Sequence, residues 1–498
     1  MAAHMTPEEF RRYGHEVVDW IARYWTELEH LPVAPDVRPG EIAARLPDRA
    51  PENGEDFAAV LADLDRVIVP GLTHWQHPAF FGYFPANTSG PSVLGDLVSA
   101  ALGVQGMLWS TSPAATEVET VVLDWLADLL DLPAAFRSTA GGGGVIQDSA
   151  SSAALVATLA ALHRASGGAW RRSGIRERYT VYASTQGHSS IEKAARLAGV
   201  GDENVRAVEV DDRYAMRPDA LRAALDADLA EGRVPALVVA TIGTTSTTAV
   251  DPLGEIGAIC QEYGVWLHVD AAYAGAAAVC PELRWSHAGL EHADSYCFDP
   301  HKWLLTGFDC DAFWVAERAE LVRALTVLPE YLRNAASESG EVIDYRDWQV
   351  PLGRRFRALK LWFVLRWYGA EGLRAHIRSG VATAQRFAEL VRADERFEIV
   401  APHPFSLVCF RLRGDGSTGN DSPGDDSRGD GSTGAGSAGD AVNEELLRRV
   451  NATGQAYLTH TRVGGRYVLR FAVGAPATRD RHAEAAWKLL QAAVDEMG

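Results

Sequence analysis

Cysteine is scarce, with five in 498 residues (Cys260, Cys280, Cys297, Cys310 and Cys409), none at the paired spacing of a metal site. That excludes a disulfide-framed secreted scaffold and a zinc module, and leaves reduced thiols in apolar segments as the expected state. No metal is expected. Basic residues are outnumbered, 47 Lys and Arg against 66 Asp and Glu, and the formal charge of −19 would repel nucleic acid or an anionic membrane surface. Apolar runs long enough to span a bilayer are missing, and no apolar run follows a basic start. Neither a membrane nor a nucleic acid is therefore expected as a partner, and the cytoplasm is the expected compartment.

What is present is a large core in prospect: 47% hydrophobic residues, in a chain long enough for two or three domains. Its most informative stretch is Asp299-Pro300-His301-Lys302-Trp303, bounded by apolar residues on both sides. Burying an unpaired ammonium is costly, so such a lysine is expected to lose its proton readily and to serve as a covalent anchor for an aldehyde. The bland alternative is a buried stem with its tip in water. Upstream by 32 residues, Trp266-Leu267-His268-Val269-Asp270 reads as an apolar strand ending on a carboxylate, followed by Ala271, Ala272 and Tyr273. Open α/β sheets bind ligands at that end of a strand, although an aspartate there can also cap a turn.

The run Gly141 to Gly144 leads through Val145-Ile146-Gln147 to Ser149-Ala150-Ser151-Ser152 and an Ala/Leu helix. A helix N-terminus with hydroxyls beside it suits an anion, but the loop lacks the Gly-Lys-Ser/Thr ending of a nucleotide P-loop. Tyr179 to Ser184 is a strand running to His188, a cap or a ligand contact. Leu237 to Ile242 is a buried strand leading to Thr245, a contact or a turn hydroxyl.

Together, Asp299-Pro300-His301-Lys302-Trp303 and His268-Val269-Asp270-Ala271-Ala272-Tyr273-Ala274-Gly275 resemble the pyridoxal-phosphate aromatic-L-amino-acid decarboxylases of group II. The resemblance runs from Glu9 to about Leu490 and suggests a bacterial member with a leaning towards tryptophan. It implies an α/β protein of fold type I, aspartate aminotransferase-like, with a mostly parallel seven-stranded sheet and a smaller C-terminal α/β domain. The expected divisions are a helical dimerisation arm over 6–90, a cofactor domain over 91–373 and a small domain over 374–498. Gly, Ser, Asp and Thr fill 414–440, which is expected to be disordered.

By the same resemblance, pyridoxal 5'-phosphate is bound at Ser149, Ala150, Ser151, His188, Thr245, Asp270, Ala272, Asp299, His301 and Lys302. Lys302 takes the aldehyde, Asp270 the ring nitrogen, and His188 stacks on the ring. Trp75, Tyr83, Phe84 and Pro85 line the substrate pocket, with Gln105, Met107 and Gly353 beside them. The stretch around Met107 comes from the facing subunit of a homodimer, and glycine at 353 goes with indole substrates. Tyr331, on a polar stretch read as a lid, is the implied proton donor at Cα, with His188 and Lys302 as fallback donors. The implied reaction turns an aromatic L-amino acid (tryptophan, 5-hydroxytryptophan, DOPA, tyrosine or phenylalanine) into its amine and carbon dioxide. The alternatives are an aldehyde synthase, which in relatives goes with loss of the loop tyrosine or the histidine, and a catalytically silent binding protein of this fold.

The first helix is expected from Thr6-Pro7-Glu8-Glu9, with helical text continuing to about Leu64. Its aromatic face (Phe10, Tyr13, Val17, Trp20, Ile21, Tyr24) needs a cover, either a second subunit or the chain's own large domain.

Overall fold

The computed structural model describes residues 4–327, 342–413 and 438–497. Seven strands form the main sheet: β1 (Gly143–Gln147), β2 (Tyr179–Ser184), β3 (Val205–Val208), β4 (Val234–Thr241), β5 (Trp266–Asp270), β6 (Ser295–Phe298) and β7 (Asp311–Val315). Their order is β1-β7-β6-β5-β4-β2-β3, and only β7 runs against its neighbours. Every residue of β5 and β6 is buried, because helices cover both faces of a parallel sheet and leave no polar side. The helix Ala150–Ala165 lies across the centre of the sheet, with Ala153, Val156, Ala157 and Ala160 at its buried positions. Small side chains let it approach closely. The register aligns Thr241 with Asp270 and Asp270 with Cys297, so the carboxyl ends of β4, β5 and β6 finish level on one edge.

A second, antiparallel sheet lies in the C-terminal part, with β8 (Phe397–Ile399), β9 (Leu407–Leu412), β10 (Thr459–Val463) and β11 (Arg466–Ala472) in the order β10-β11-β9-β8. Phe387, Phe410 and Phe471 centre its core, Phe387 stacking on Phe471 at 3.7 Å between ring centroids. The helix Ala358–Arg392 joins the two sheets, interrupted at Gly369, whose φ of 59° suits a residue without Cβ. The boundary expected at 373 falls inside this helix.

Two expectations need correction. Helical text does not continue from Pro7 to Leu64: a helix spans Pro7–Glu27, closed by a Thr6/Glu9 capping box, and the next α-helix is Phe57–Asp63. Pro32, Pro35, Pro39, Pro47 and Pro51 intervene, and each removes an N–H that a helix would use. The insert expected over 414–440 ends earlier, since Ala438, Gly439 and Asp440 open the helix Ala438–Ala452. Asp440 accepts from Tyr467 N at 2.9 Å and Arg462 Nη1 at 3.0 Å, tying that helix to β10 and β11. The rest of the insert, 414–437, lies outside the described residues. All five cysteines are buried and unpaired, and no described helix is long and apolar enough to cross a membrane.

Candidate active site

Where β4, β5 and β6 end, a cavity of about 220 Å³ opens. Lys302 enters it from a single helical turn, Pro300–Trp303, that follows β6 directly. Trp303 is fully buried and stacked on Tyr273 at 4.9 Å, which fixes that turn against the core. The Nζ of Lys302 donates to Asp299 Oδ2 at 2.8 Å, while Asp299 Oδ1 accepts from Ala150 N at 3.2 Å. One carboxylate thus joins the lysine to the N-terminus of the helix Ala150–Ala165.

The lysine differs from expectation in its charge. Burial disfavours its ammonium, but Asp299, with Asp270 further off, outweighs that and holds its proton affinity above the ordinary lysine value. Readiness to lose a proton is therefore not a property of the chain's own groups here. Asp299 shows the reciprocal balance: burial would raise its carboxyl, and Lys302 holds it below the usual carboxylate range.

Asp270 ends β5 in the cavity wall and also accepts from Ala272 N at 3.0 Å, so it caps the turn as well as facing the cavity. His188 is likewise both cap and wall, its Nδ1 accepting from Ser190 N at 3.2 Å at the start of the helix Ser189–Leu197. Ser149, Ala150 and Ser151 meet the cavity at the start of their helix, and Ser149 makes no side-chain bond to that helix. Thr245, Ala272 and His301 complete the set, so all ten positions nominated for the cofactor line one cavity. Behind Thr245 the chain turns at Gly243 (φ 83°), where a Cβ would meet Ala274 Cβ at 2.5 Å.

The nominated pocket wall divides. Phe84 lines the cavity and stacks on Tyr273 at 3.8 Å with the rings 8° apart. Trp75 and Tyr83 stack on each other outside the cavity, and Pro85 packs against Gly474. Gln105, Met107 and Gly353 do not line it either. Gln105 and Gly353 are exposed and Met107 half-buried; Gln105 Oε1 accepts from Arg354 N at 2.8 Å beside Gly353, and the Met107 carbonyl accepts from Arg346 N at 3.1 Å. Tyr331 lies outside the described residues.

Sequence reading missed Thr241, Gly243, Tyr273 and Phe308 as cavity residues. Tyr273 sits inside the quoted motif and could have been nominated. Arg354, away from the cavity, holds a structural carboxylate, its guanidinium pairing with Glu119 at 2.6 and 3.0 Å, both side chains 2% exposed.

A family model described as the pyridoxal-dependent decarboxylase conserved domain matches residues 39–413. The chain belongs to that family. Among the relatives of this pyridoxal-dependent decarboxylase, tryptophan decarboxylase 2 of Oryza sativa is 47% identical over 98% of this chain and 95% of its own length. Phenylacetaldehyde synthase of Arabidopsis thaliana is 46% identical over 98% and 96%. The crystal structure of Oryza sativa TDC with PLP and tryptamine superposes with a TM-score of 0.92 at 43% identity, covering 100% of both chains. These are plant proteins and give the expected bacterial source no support. The decarboxylase is a carboxy-lyase of fold type I, and its cofactor is pyridoxal 5'-phosphate.

The cavity fits that cofactor on its own chemistry. It offers an amine for an aldehyde, a carboxylate one strand away for a ring nitrogen, and a helix N-terminus without a side-chain cap for a phosphate.

Proposed function

We propose that this decarboxylase acts on an aromatic L-amino acid, with tryptophan the leading candidate, and releases the arylethylamine and carbon dioxide. The observation that carries the reading is the convergence of Lys302, Asp270, His188 and the Phe84 ring on one cavity. A decarboxylase of acidic substrates would want an acid-binding cation in the cavity lining where this chain has Phe84 and Tyr273. When bound, pyridoxal phosphate supplies an electron sink for the electrons left at Cα.

The chain's residues do the rest. Lys302 would hold the cofactor's aldehyde through its Nζ. Asp270 would hold the ring nitrogen and favour its protonated form, since an opposite charge nearby favours the charged form. His188 would pack against the cofactor's ring. Ser149, Ala150 and Ser151 would hold the phosphate through helix N–H groups and hydroxyls, and Thr245, Ala272, Asp299 and His301 would supply the remaining cofactor contacts. Tyr331 delivers the proton to Cα; His188 and Lys302 stand as fallback donors. A placed donor of this kind contributes roughly a hundred- to ten-thousandfold.

A cavity of about 220 Å³ is small for cofactor and substrate together. The proposal therefore includes a homodimer in which Gln105, Met107 and Gly353 complete the partner's pocket, beside Trp75, Tyr83 and Pro85. Exposed apolar surface supports it: the helix Pro7–Glu27 buries no residue, and Phe10, Val18 and Trp25 stand exposed, as do Leu94, Leu97 and Leu102 on the helix Gly90–Leu102. The arm, cofactor domain and small domain divide at about 90 and 373, and the enzyme works in the cytoplasm.

The second reading, an aldehyde synthase, is favoured by the 46% identity to phenylacetaldehyde synthase. Purified protein given tryptophan, 5-hydroxytryptophan, DOPA, tyrosine and phenylalanine separates the two. Amine and carbon dioxide in equal amounts without peroxide are expected. Stoichiometric peroxide and ammonia would replace this reading with the second, and no product from any of the five would end both.

A further inference from the structure

Three buried carboxyl groups, Asp270, Asp299 and Asp311, face the single ammonium of Lys302, and only two of them have evident work. Asp270 ends β5 at the cavity, and Asp299 takes the hydrogen bonds from Lys302 Nζ and Ala150 N. Asp311 opens β7 at 0% exposure, opposite Gln147 of β1. Pairing of Ala312 with Phe298 sets it beside Asp299, and the two carboxyl groups lie within hydrogen-bonding reach.

Among the described residues no N–H or O–H group donates to either oxygen of Asp311. Asp251 provides the contrast: equally enclosed, it accepts from Met216 N and Thr241 N, each at 2.7 Å. A buried carboxylate without donors bears the full cost of desolvation. Two carboxylates in contact repel unless a proton lies between them, as in paired-carboxyl sites. Both donors to Asp299 favour its anion, so the proton belongs to Asp311.

We infer that Asp311 is a positioning residue, kept as a neutral carboxylic acid that donates a hydrogen bond to Asp299 and so fixes the counter-ion of Lys302. This rests on the reading of Lys302 as the lysine that takes the cofactor aldehyde. Burial and the charge of Asp299 both push the Asp311 carboxyl well above the carboxylate range. Asp270 adds to that push, and the Lys302 ammonium opposes it and is outweighed. The Cys297 and Cys310 thiols and the Tyr296 phenol are raised by burial and stay neutral, and burial lowers the affinity of His301 for a second proton. The basicity of the lysine is thus set by an acid pair, one member ionised and one not.

The test has two arms. In protein stripped of cofactor, the infrared difference between parent and Asp311→Asn at neutral pH should contain the carbonyl band of a protonated carboxylic acid, lost in the variant. Absence of that band overturns the inference whatever the reaction proves to be. In cofactor-loaded protein, the pH midpoint of the visible absorption should stay at the parental value in Asp311→Asn, whose amide still donates. It should move by about one unit, a tenfold change in proton affinity, in Asp311→Ala. Parental titration in Asp311→Ala also overturns it. If the alanine variant does not fold, the infrared arm decides alone. Mass spectrometry of borohydride-reduced parent keeps the two claims apart: an adduct away from Lys302 sinks the functional reading without touching the infrared result.

Discussion

Arg470, on β11 of the small sheet, donates from Nη2 to the Thr245 carbonyl at 2.8 Å and holds its guanidinium carbon 5.1 Å from the centre of the Phe84 ring. The same group reaches the carbonyls of Ser246 and Tyr83, each at 3.4 Å, so one side chain links the small sheet, the loop after β4 and the cavity's aromatic wall. Tyr83 needs such support, since its φ of 53° is unusual for a residue with a Cβ.

Arg470→Met should leave the Thr245 and Ser246 carbonyls short of a donor, costing about 1–3 kcal/mol. A lower melting temperature and faster loss of cofactor on gel filtration are expected, with Arg470→Lys restoring only part because one ammonium cannot reproduce the guanidinium fork. Parental melting and retention in Arg470→Met would show the link to be idle.

Arg354→Ala should be more damaging. It strands Glu119, and breaking a buried pair from one side costs about 3–5 kcal/mol. Replacing both, as Glu119→Gln with Arg354→Met, should recover much of the loss in urea unfolding. A double variant no better than the single would contradict the uncompensated charge as the cause.

Acid should destabilise the protein through its enclosed histidines. His268, 1% exposed with Nδ1 2.9 Å from Ser295 Oγ, has its affinity for a second proton pushed down by burial to about 4, and His287 to about 3. Below the ordinary histidine value of about 6.5 the unfolded chain binds protons that the folded one refuses, so stability falls as pH drops from there towards 4. His268→Asn should take up about one proton fewer on unfolding across that window. An unchanged pH slope would refute the assignment.

The Lys302–Asp299 pair acts at both ends of the pH scale. Lys302 is raised, so its contribution is full below the ordinary lysine range and disappears as pH rises through the folded value. Asp299 is depressed, so its share is present above the ordinary aspartate range and disappears as pH falls through its folded value. In cofactor-stripped protein, Lys302→Met should lack the alkaline limb of the parental stability curve. Loaded and reduced, it should carry no adduct; the other lysines are Lys193, Lys360 and Lys488, so the adduct peptide is readily assigned.

Tyr331→Phe should shift product from amine towards aldehyde with peroxide. Amine formed at the parental rate would remove Tyr331 from the reaction.

Part of this was legible in the chain's order of residues. A strand that ends on a carboxylate, as Trp266–Asp270 does, or a lysine placed straight after a strand, as Lys302 is, has its position fixed by local rules: alternation of side chains, the turn that follows, and the sheet edge where such ends gather. The same local rules gave the helix start at Thr6 and the bounds of β2.

Residues whose role depends on distant partners were not legible. The loop from Trp75 to Pro85 has no period, so nothing local told that Phe84 would turn inward onto Tyr273 while Trp75 and Tyr83 stacked outside the cavity. Arg470 lies in the small sheet and Thr245 in the loop after β4, and Asp311 meets Asp299 only because β7 runs against β6. Sequence by itself determined which chemical groups exist and which strand ends carry them. Tertiary structure alone decided their charges, since whether Lys302 keeps its proton and Asp311 gains one depends on desolvation and on neighbours that only the folded chain brings within reach.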